Sequence, residues 1–142
     1  MCQQVYLAAS VALPIIAQNN LSPAFYVEEA DPADQQMLGD VFKGNYFYYS
    51  VGSFMGCSCG LFCDNDFRES EPETYAQRLS DSQAFNHYLL AEVRQHEVWL
   101  FTTDWNVFPD SYPQALLHLS AFDTAAFDLA ELPENVILTI NA

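Results

Sequence analysis

A chain of 142 residues has the length of one globular domain, and we predict a single domain over residues 1–142. Its composition, 51% hydrophobic and 15% aromatic, excludes an intrinsically disordered protein, because disordered segments lack the apolar surface that offsets chain entropy. Four lysine and arginine residues stand against 19 acidic residues, for a net charge of −15. This balance argues against nucleic acid and membranes as partners, since phosphate binding depends on clustered basic residues.

The acidic excess favours a basic protein surface, or cations, as the binding partner. The acids are scattered along the chain, with modest concentrations at residues 28–40 and 64–73. A second interpretation stays open, in which the negative charge only keeps an aromatic-rich protein in solution.

The N-terminal stretch MCQQVYLAASVALPIIA lacks the basic residues of a signal peptide, and Pro14 interrupts an apolar run that is too short to span a bilayer. We therefore expect a cytoplasmic protein. In a reducing compartment, closely spaced cysteines act as metal ligands, redox groups or buried apolar side chains more often than as structural disulfides.

Two strands are predicted near the N-terminus. In QVYLAAS, alternating side chains predict a half-buried strand with Val5 toward the core and Tyr6 away from it. In AFYVEE, the same pattern places Tyr26 and Glu28 on the outward face. Residues 31–39 are then expected to form a turn or one short helix.

In the segment NYFYYSVGSFMGCSCGLFC, the side chains at odd positions differ consistently from those at even positions over a long span. Its odd positions include Val51, Cys57, Cys59 and Cys63, whereas its even positions from 50 to 60 are nearly all small. An extended backbone therefore places the three cysteines on one apolar face. The glycines alternatively mark a bulge or a sharp bend.

A helical region is predicted from residue 72 to about residue 95. Ser70 with Glu73 forms a capping-box signal. Ser80 with Gln83 repeats that signal, so the region holds two helices or one kinked helix.

The apolar face of this helical region is a single stripe. Its members are Tyr75, Leu79, Leu89, Leu90 and Val93. Phe85 and Tyr88 fall outside the stripe, and they form either a second packing edge or an exposed aromatic patch.

The C-terminal half predicts further strands. EVWLFTTDW is apolar on both faces and suits a central strand covered on both sides. ALLHLS is expected to return antiparallel beside it, and NVILTIN to close the chain as a last strand. Ser120 or Asp123 is predicted to cap a short helix through Phe127. Together the elements predict an α+β fold, a mostly antiparallel sheet of about five or six strands with two or three helices.

The stretch GCSCGLFC suggests a soft-metal site, in which thiolates converge on zinc or Cu(I) at about 2.3 Å. The candidate ligands are Cys57, Cys59, Cys63 and, in the fourth position, Cys2. Cys2 shares the outward parity of Tyr6, which argues against it. The alternatives for the fourth ligand are His87, His96 and His118. One cluster of this kind is a weaker zinc signature than two C-x-x-C pairs.

Two other roles for the cysteines stay open. A redox role requires a disulfide between Cys57 and Cys59, whose Cβ atoms are too far apart on a straight strand and come close only across a turn. Core filling is the third alternative, because buried cysteine behaves as a small apolar side chain. The shared parity favours core filling.

No catalytic set or phosphate-binding glycine motif is recognisable in the sequence. The leading hypothesis is therefore a small acidic cytoplasmic binding protein that engages a basic partner, of the toxin-neutralising or nucleic-acid-mimic type. The alternative is a thiolate metal-binding protein, with zinc, or a redox protein centred on the cysteine cluster. An enzyme is the least favoured class.

Overall fold

The computed structural model describes residues 3–62, 67–105, 108–118 and 132–141. The strands in these ranges are β1 Gln4–Ala9, β2 Tyr26–Glu29, β3 Phe47–Gly52, β4 Val98–Thr103, β5 Gln114–His118 and β6 Ile137–Asn141. The helices are α1 Pro32–Phe42, α2 Phe67–Ser70 and α3 Pro72–Val93, with a 3₁₀ turn at Ser58–Leu61. The predicted α+β class is confirmed.

The helix predicted to begin at Ser120 or Asp123 lies outside the described residues. The single domain over residues 1–142 stays a prediction. Across the described ranges, no helix combines the length and the apolar character that crossing a membrane requires.

The strands form one sheet in the order β2-β3-β1-β4-β6-β5, in which only the β5–β6 pair is parallel. The prediction that ALLHLS lies antiparallel beside the central strand is wrong, because β6 occupies that place next to β4. The positions of β5 and β6 agree with their burial. Ile137 and Ile140 of β6 are buried, whereas Leu116 of β5 is exposed, so the more buried strand takes the inner position and β5 the edge.

The central strands β1 and β4 are covered on both faces, which confirms the prediction for EVWLFTTDW. Val5 and Leu7 join a core cluster that includes Phe85 of α3. Tyr6 joins a second cluster with Leu38 of α1. The prediction that Tyr6 points away from the core is therefore wrong, because α1 covers the second face and leaves its side chain only 1% exposed.

The helix α1 begins and ends at residues suited to those positions. Asp31 caps the N-terminus by accepting a hydrogen bond from the Asp34 N–H at 2.8 Å. Pro32 follows in the first turn, where its missing N–H costs nothing. Lys43 ends the helix in the left-handed conformation, with a φ of 54°. These caps set Asp31 and Asp34 beside the covered face of the sheet.

The helix α3 runs without interruption over 22 residues, so the two-helix alternative is wrong. The predicted capping box is also wrong, because Ser70 belongs to α2 and the N-cap residue Glu71 makes no side-chain capping bond. Phe85 and Tyr88 pack against Phe25, with ring centroids 5.5 and 5.6 Å apart. They form a second packing edge, which was one of the two alternatives.

The extended segment predicted through the cysteines ends with β3. Ser53 and Gly56 close a turn in which the Gly56 N–H donates to the Ser53 carbonyl at 2.9 Å. Gly56 has a φ of 75°, which glycine adopts without steric cost. The 3₁₀ turn Ser58–Leu61 follows directly. The shared extended face for Cys57 and Cys59 is therefore wrong, and the glycine bend is the correct alternative.

Candidate functional site

The structure places two of the four predicted metal ligands. Cys57 is the N-cap residue of the 3₁₀ turn and Cys59 lies within it, and both are half-buried. Neither belongs to the two core clusters, so core filling does not describe them. Cys2 and Cys63 lie outside the described residues. The thiolate site with zinc therefore stays a prediction.

The histidines proposed as substitute ligands do not complete a site in the part of the chain that the structure describes. His96 Nε2 lies 3.3 Å from Glu92 Oε2. His87 and His118 are exposed. Among the described residues, no three His, Cys, Asp or Glu side chains are grouped closely enough to hold a metal ion.

A cleft of about 340 Å³ opens on the α1 side of the sheet, at the N-terminus of that helix. Three carboxylates and three aromatic side chains line it and together form the acidic cleft: Glu28, Asp31, Asp34, Tyr6, Tyr26 and Trp105. Strand register builds its floor. Tyr6, Ser50 and Glu28 pair side by side across β1, β3 and β2, so their side chains leave the same face of the sheet.

A chain of hydrogen bonds crosses the cleft from Trp105 to Asp34. The Trp105 Nε1–H donates to the Tyr6 hydroxyl at 3.0 Å, and this hydroxyl donates to Asp34 Oδ2 at 2.9 Å. Burial raises the pKa of Tyr6, so the phenol stays protonated and keeps donating.

The same surroundings make the Asp34 carboxylate a costly negative charge. Burial raises the pKa of Asp34 above its ordinary value; the hydrogen bond from Tyr6 opposes this shift, and the charge of Asp31 adds to it. A cation arriving beside Asp34 would stabilise its ionised form. Perturbed carboxylates of this kind concentrate at functional sites.

Tyr26 lines the cleft with a side chain that is otherwise almost fully buried. Its side chain is 5% exposed, and its ring lies directly over Gly52, where any Cβ would collide with it. Within the described ranges, no hydrogen bond engages the Tyr26 hydroxyl. Burial, followed by the charges of Glu28 and Cys57, raises the pKa of Tyr26, so the hydroxyl is a protonated donor and acceptor at the cleft. This hydroxyl is therefore available to a ligand that enters the cleft.

The charge of the acidic cleft is not compensated by the chain's own basic residues. All four of them, Lys43, Arg68, Arg78 and Arg94, lie in the described ranges. Within those ranges, none of the four forms an ion pair with a carboxylate of the cleft. An ion pair does join His96 to Glu92, and neither of these residues lines the cleft. Arg78 instead donates to the carbonyls of Cys59 and Phe62. Within the described ranges, the chain's own basic residues therefore leave the cleft carboxylates unpaired.

Trp105 forms a wall of the cleft in a constrained backbone conformation. Its φ is 59°, a region that bulky residues rarely adopt. The Trp105 N–H donates to Thr103 Oγ1 at 3.0 Å, and the indole stacks on Phe108 with an interplanar angle of 17°. Phe108 is 63% exposed, so the aromatic wall continues onto the surface. Strained residues held in this way concentrate at ligand-binding positions.

Sequence reasoning missed the acidic cleft, although part of the signal was present. The alternation placed Tyr6, Tyr26 and Glu28 on the face opposite the main core, and an acidic concentration began at residue 28. The closure of this face by α1, and the arrival of Trp105 from the end of β4, are tertiary features that no local pattern encodes.

The residues of the acidic cleft are of the types that attract positive charge. Carboxylates attract positive charge, and aromatic faces attract cations through their quadrupole. Phosphate and carboxylate ligands would meet three carboxylates and no basic side chain, since none of the residues that line the cleft is basic.

No protein-family model, no curated protein and no solved structure matches this chain.

Proposed function

We propose that this protein is a binding protein rather than an enzyme, and that it engages a basic partner protein in the cytoplasm. The acidic cleft receives a positively charged side chain of that partner. The net charge of −15 steers the basic surface toward it over a longer range. A basic toxin or nuclease, neutralised by occupation of its cationic surface, has the chemistry of such a partner.

The single observation that carries this proposal is the set of three carboxylates, Glu28, Asp31 and Asp34, in one cleft without a basic residue against them. Ionised Asp34 costs stability, because burial first and the neighbouring charge of Asp31 second raise the pKa of its carboxyl. A binding site commonly retains such a cost, because the partner's charge offsets it on association.

The test compares two variants with the same change in net charge. The cleft variant combines Glu28→Gln, Asp31→Asn and Asp34→Asn. Asparagine at position 31 retains the helix cap, and the amide at position 34 retains an oxygen for the Tyr6 hydroxyl. The control variant combines Glu69→Gln, Glu97→Gln and Asp110→Asn, all at exposed positions. The measurement is the Kd for octa-arginine and for octa-lysine peptides by calorimetry.

We expect the cleft variant to bind both peptides at least about tenfold more weakly than the wild type does. The affinity of the control variant should fall by less than about threefold. Raising the salt concentration from about 50 to about 300 mM should weaken wild-type binding, because screening shortens the range of attraction. Equal losses in the two variants would reject the proposal, since binding would then follow diffuse charge and not the cleft.

A further inference from the structure

We infer that the acidic cleft is selective for the side chain of an arginine that belongs to a polypeptide. The inference rests on the proposed function and deepens it by naming the group that enters the cleft. Two independent features carry it: the acidic and aromatic residues that line one cleft, and the Tyr26 hydroxyl, which makes no hydrogen bond within the described ranges although its side chain is only 5% exposed.

The size of the cleft suits an occupant as small as a single side chain. Its volume of about 340 Å³ lies at the low end of the range of about 300–1,000 Å³ for small-molecule pockets. Beyond the cleft, the exposed ring of Phe108 continues the wall formed by Trp105. Residues that flank the inserted side chain therefore have an apolar surface to contact.

The distribution of acceptors favours guanidinium over ammonium. Asp31 and Asp34 each use one carboxylate oxygen in an internal hydrogen bond and keep the other for a ligand. Glu28 and the Tyr26 hydroxyl make no hydrogen bond within the described ranges. A guanidinium carries five donors in a planar fork and reaches several separated acceptors at once, whereas an ammonium concentrates three donors at one point.

The aromatic walls favour the same group. Trp105 is half-buried, whereas the Tyr6 and Tyr26 side chains are only 1% and 5% exposed, so the indole is the aromatic surface that a ligand in the cleft can stack on. Guanidinium is planar and weakly hydrated, so it stacks on aromatic faces at a lower desolvation cost than the strongly hydrated ammonium of lysine.

The absence of basic residues among those that line the cleft favours an arginine without a free α-carboxylate over the free amino acid. The α-carboxylate of the free amino acid would approach Glu28, Asp31 and Asp34 without a cation to pair with. An arginine within a polypeptide has no such charge beside its side chain.

The experiment is an NMR titration of the full chain with three probes: Nα-acetyl-L-arginine amide, Nα-acetyl-L-lysine amide and free L-arginine. We expect the arginine amide to bind at least about fivefold more tightly than either of the other probes. Its chemical-shift changes should centre on the amides of Tyr26 and Gly56 and on the Trp105 indole N–H.

Two single variants test the roles of the acceptors. Tyr26→Phe removes the hydroxyl alone and should weaken binding of the arginine amide by about threefold or more. Glu28→Gln should weaken it similarly, and because this side chain is exposed, the variant keeps the fold. Glu69→Gln, also exposed and outside the residues that line the cleft, is the matched control and should bind as the wild type does.

Equal affinities for the arginine and lysine amides, shift changes centred away from the cleft, or a Glu28→Gln variant with unchanged affinity would overturn the inference. The peptide comparison separates this failure from that of the proposed function. If both octapeptides depend on the cleft carboxylates while the arginine amide has no advantage, the inference fails and the proposed function stands. If neither octapeptide depends on them, both fail.

Discussion

Asp81→Ala is expected to lower the free energy of unfolding by about 3–5 kcal/mol, the largest effect of any single change considered for this protein. The Asp81 side chain is 1% exposed and accepts hydrogen bonds from the backbone N–H groups of Ala24 and Phe54, both at 2.7 Å. It thereby ties two loops to α3: the segment before β2 and the turn that leads into the cleft. Alanine would leave the buried Ala24 N–H and the partly buried Phe54 N–H without an acceptor.

Urea unfolding measures this loss, and amide hydrogen exchange locates it. Protection of the Ala24 and Phe54 amides should fall more than protection of amides in the central strands. The matched control is Asp40→Ala, an exposed aspartate near the end of α1, which should change stability by less than about 0.5 kcal/mol. A loss below about 1 kcal/mol for Asp81→Ala would contradict the role assigned to this carboxylate.

Gly52→Ala is expected to cost about 2–3 kcal/mol and to close the acidic cleft. The Tyr26 ring occupies the space that a Cβ at position 52 would need, so the ring must move or the strands must separate. Tyr26 lines the cleft, so its displacement should also abolish the binding of basic peptides.

A double-mutant cycle isolates the ring contact as the cause. In a Tyr26→Val background the ring is absent, and Gly52→Ala should then be neutral or stabilising by about 0.5–1 kcal/mol, as expected for alanine in place of glycine in a strand. Gly39→Ala in α1 is a second control that should stabilise the protein, because no atom lies within 4 Å of an added Cβ. An equal cost of Gly52→Ala with and without the Tyr26 ring would refute the contact explanation.

The fold class was predictable because it depends on local patterns. The apolar run of β4 and the alternation in β1 are visible in the sequence, and each corresponds to a strand in the structure. The order of the strands was not predictable in the same way. Whether β5 or β6 lies beside β4 depends on the comparative burial of two segments about twenty residues apart, which periodicity does not encode.

The prediction that used alternating residue positions was wrong where the backbone turns after β3. The extrapolation from Val51 through Cys57 and Cys59 assumed an extended chain, whereas the turn at Gly56 breaks the period of two. The same parity in β1 and β2 correctly grouped Tyr6, Tyr26 and Glu28 on one face. It could not reveal the site they form, because α1 and Trp105, which complete it, reach that face only through tertiary packing.

The measurement that tests the central claim most directly is the pKa of the Asp34 carboxyl, followed by NMR in the absence and presence of octa-arginine. Without ligand, burial keeps this pKa above the ordinary value of 3.8. A raised pKa means that the folded state binds the proton more readily than the unfolded state, so ionised Asp34 costs stability at neutral pH, and that cost disappears as the pH falls.

A guanidinium in the cleft favours the ionised form, so saturating octa-arginine should lower the pKa of Asp34, and the affinity for the peptide should fall as Asp34 becomes protonated in acid. An uncharged peptide of equal length, at matched ionic strength, is the control. A fall in this pKa with octa-arginine alone is the result we predict. An unchanged pKa at saturation would mean that the peptide binds elsewhere, and it would contradict the acidic cleft as the site of recognition.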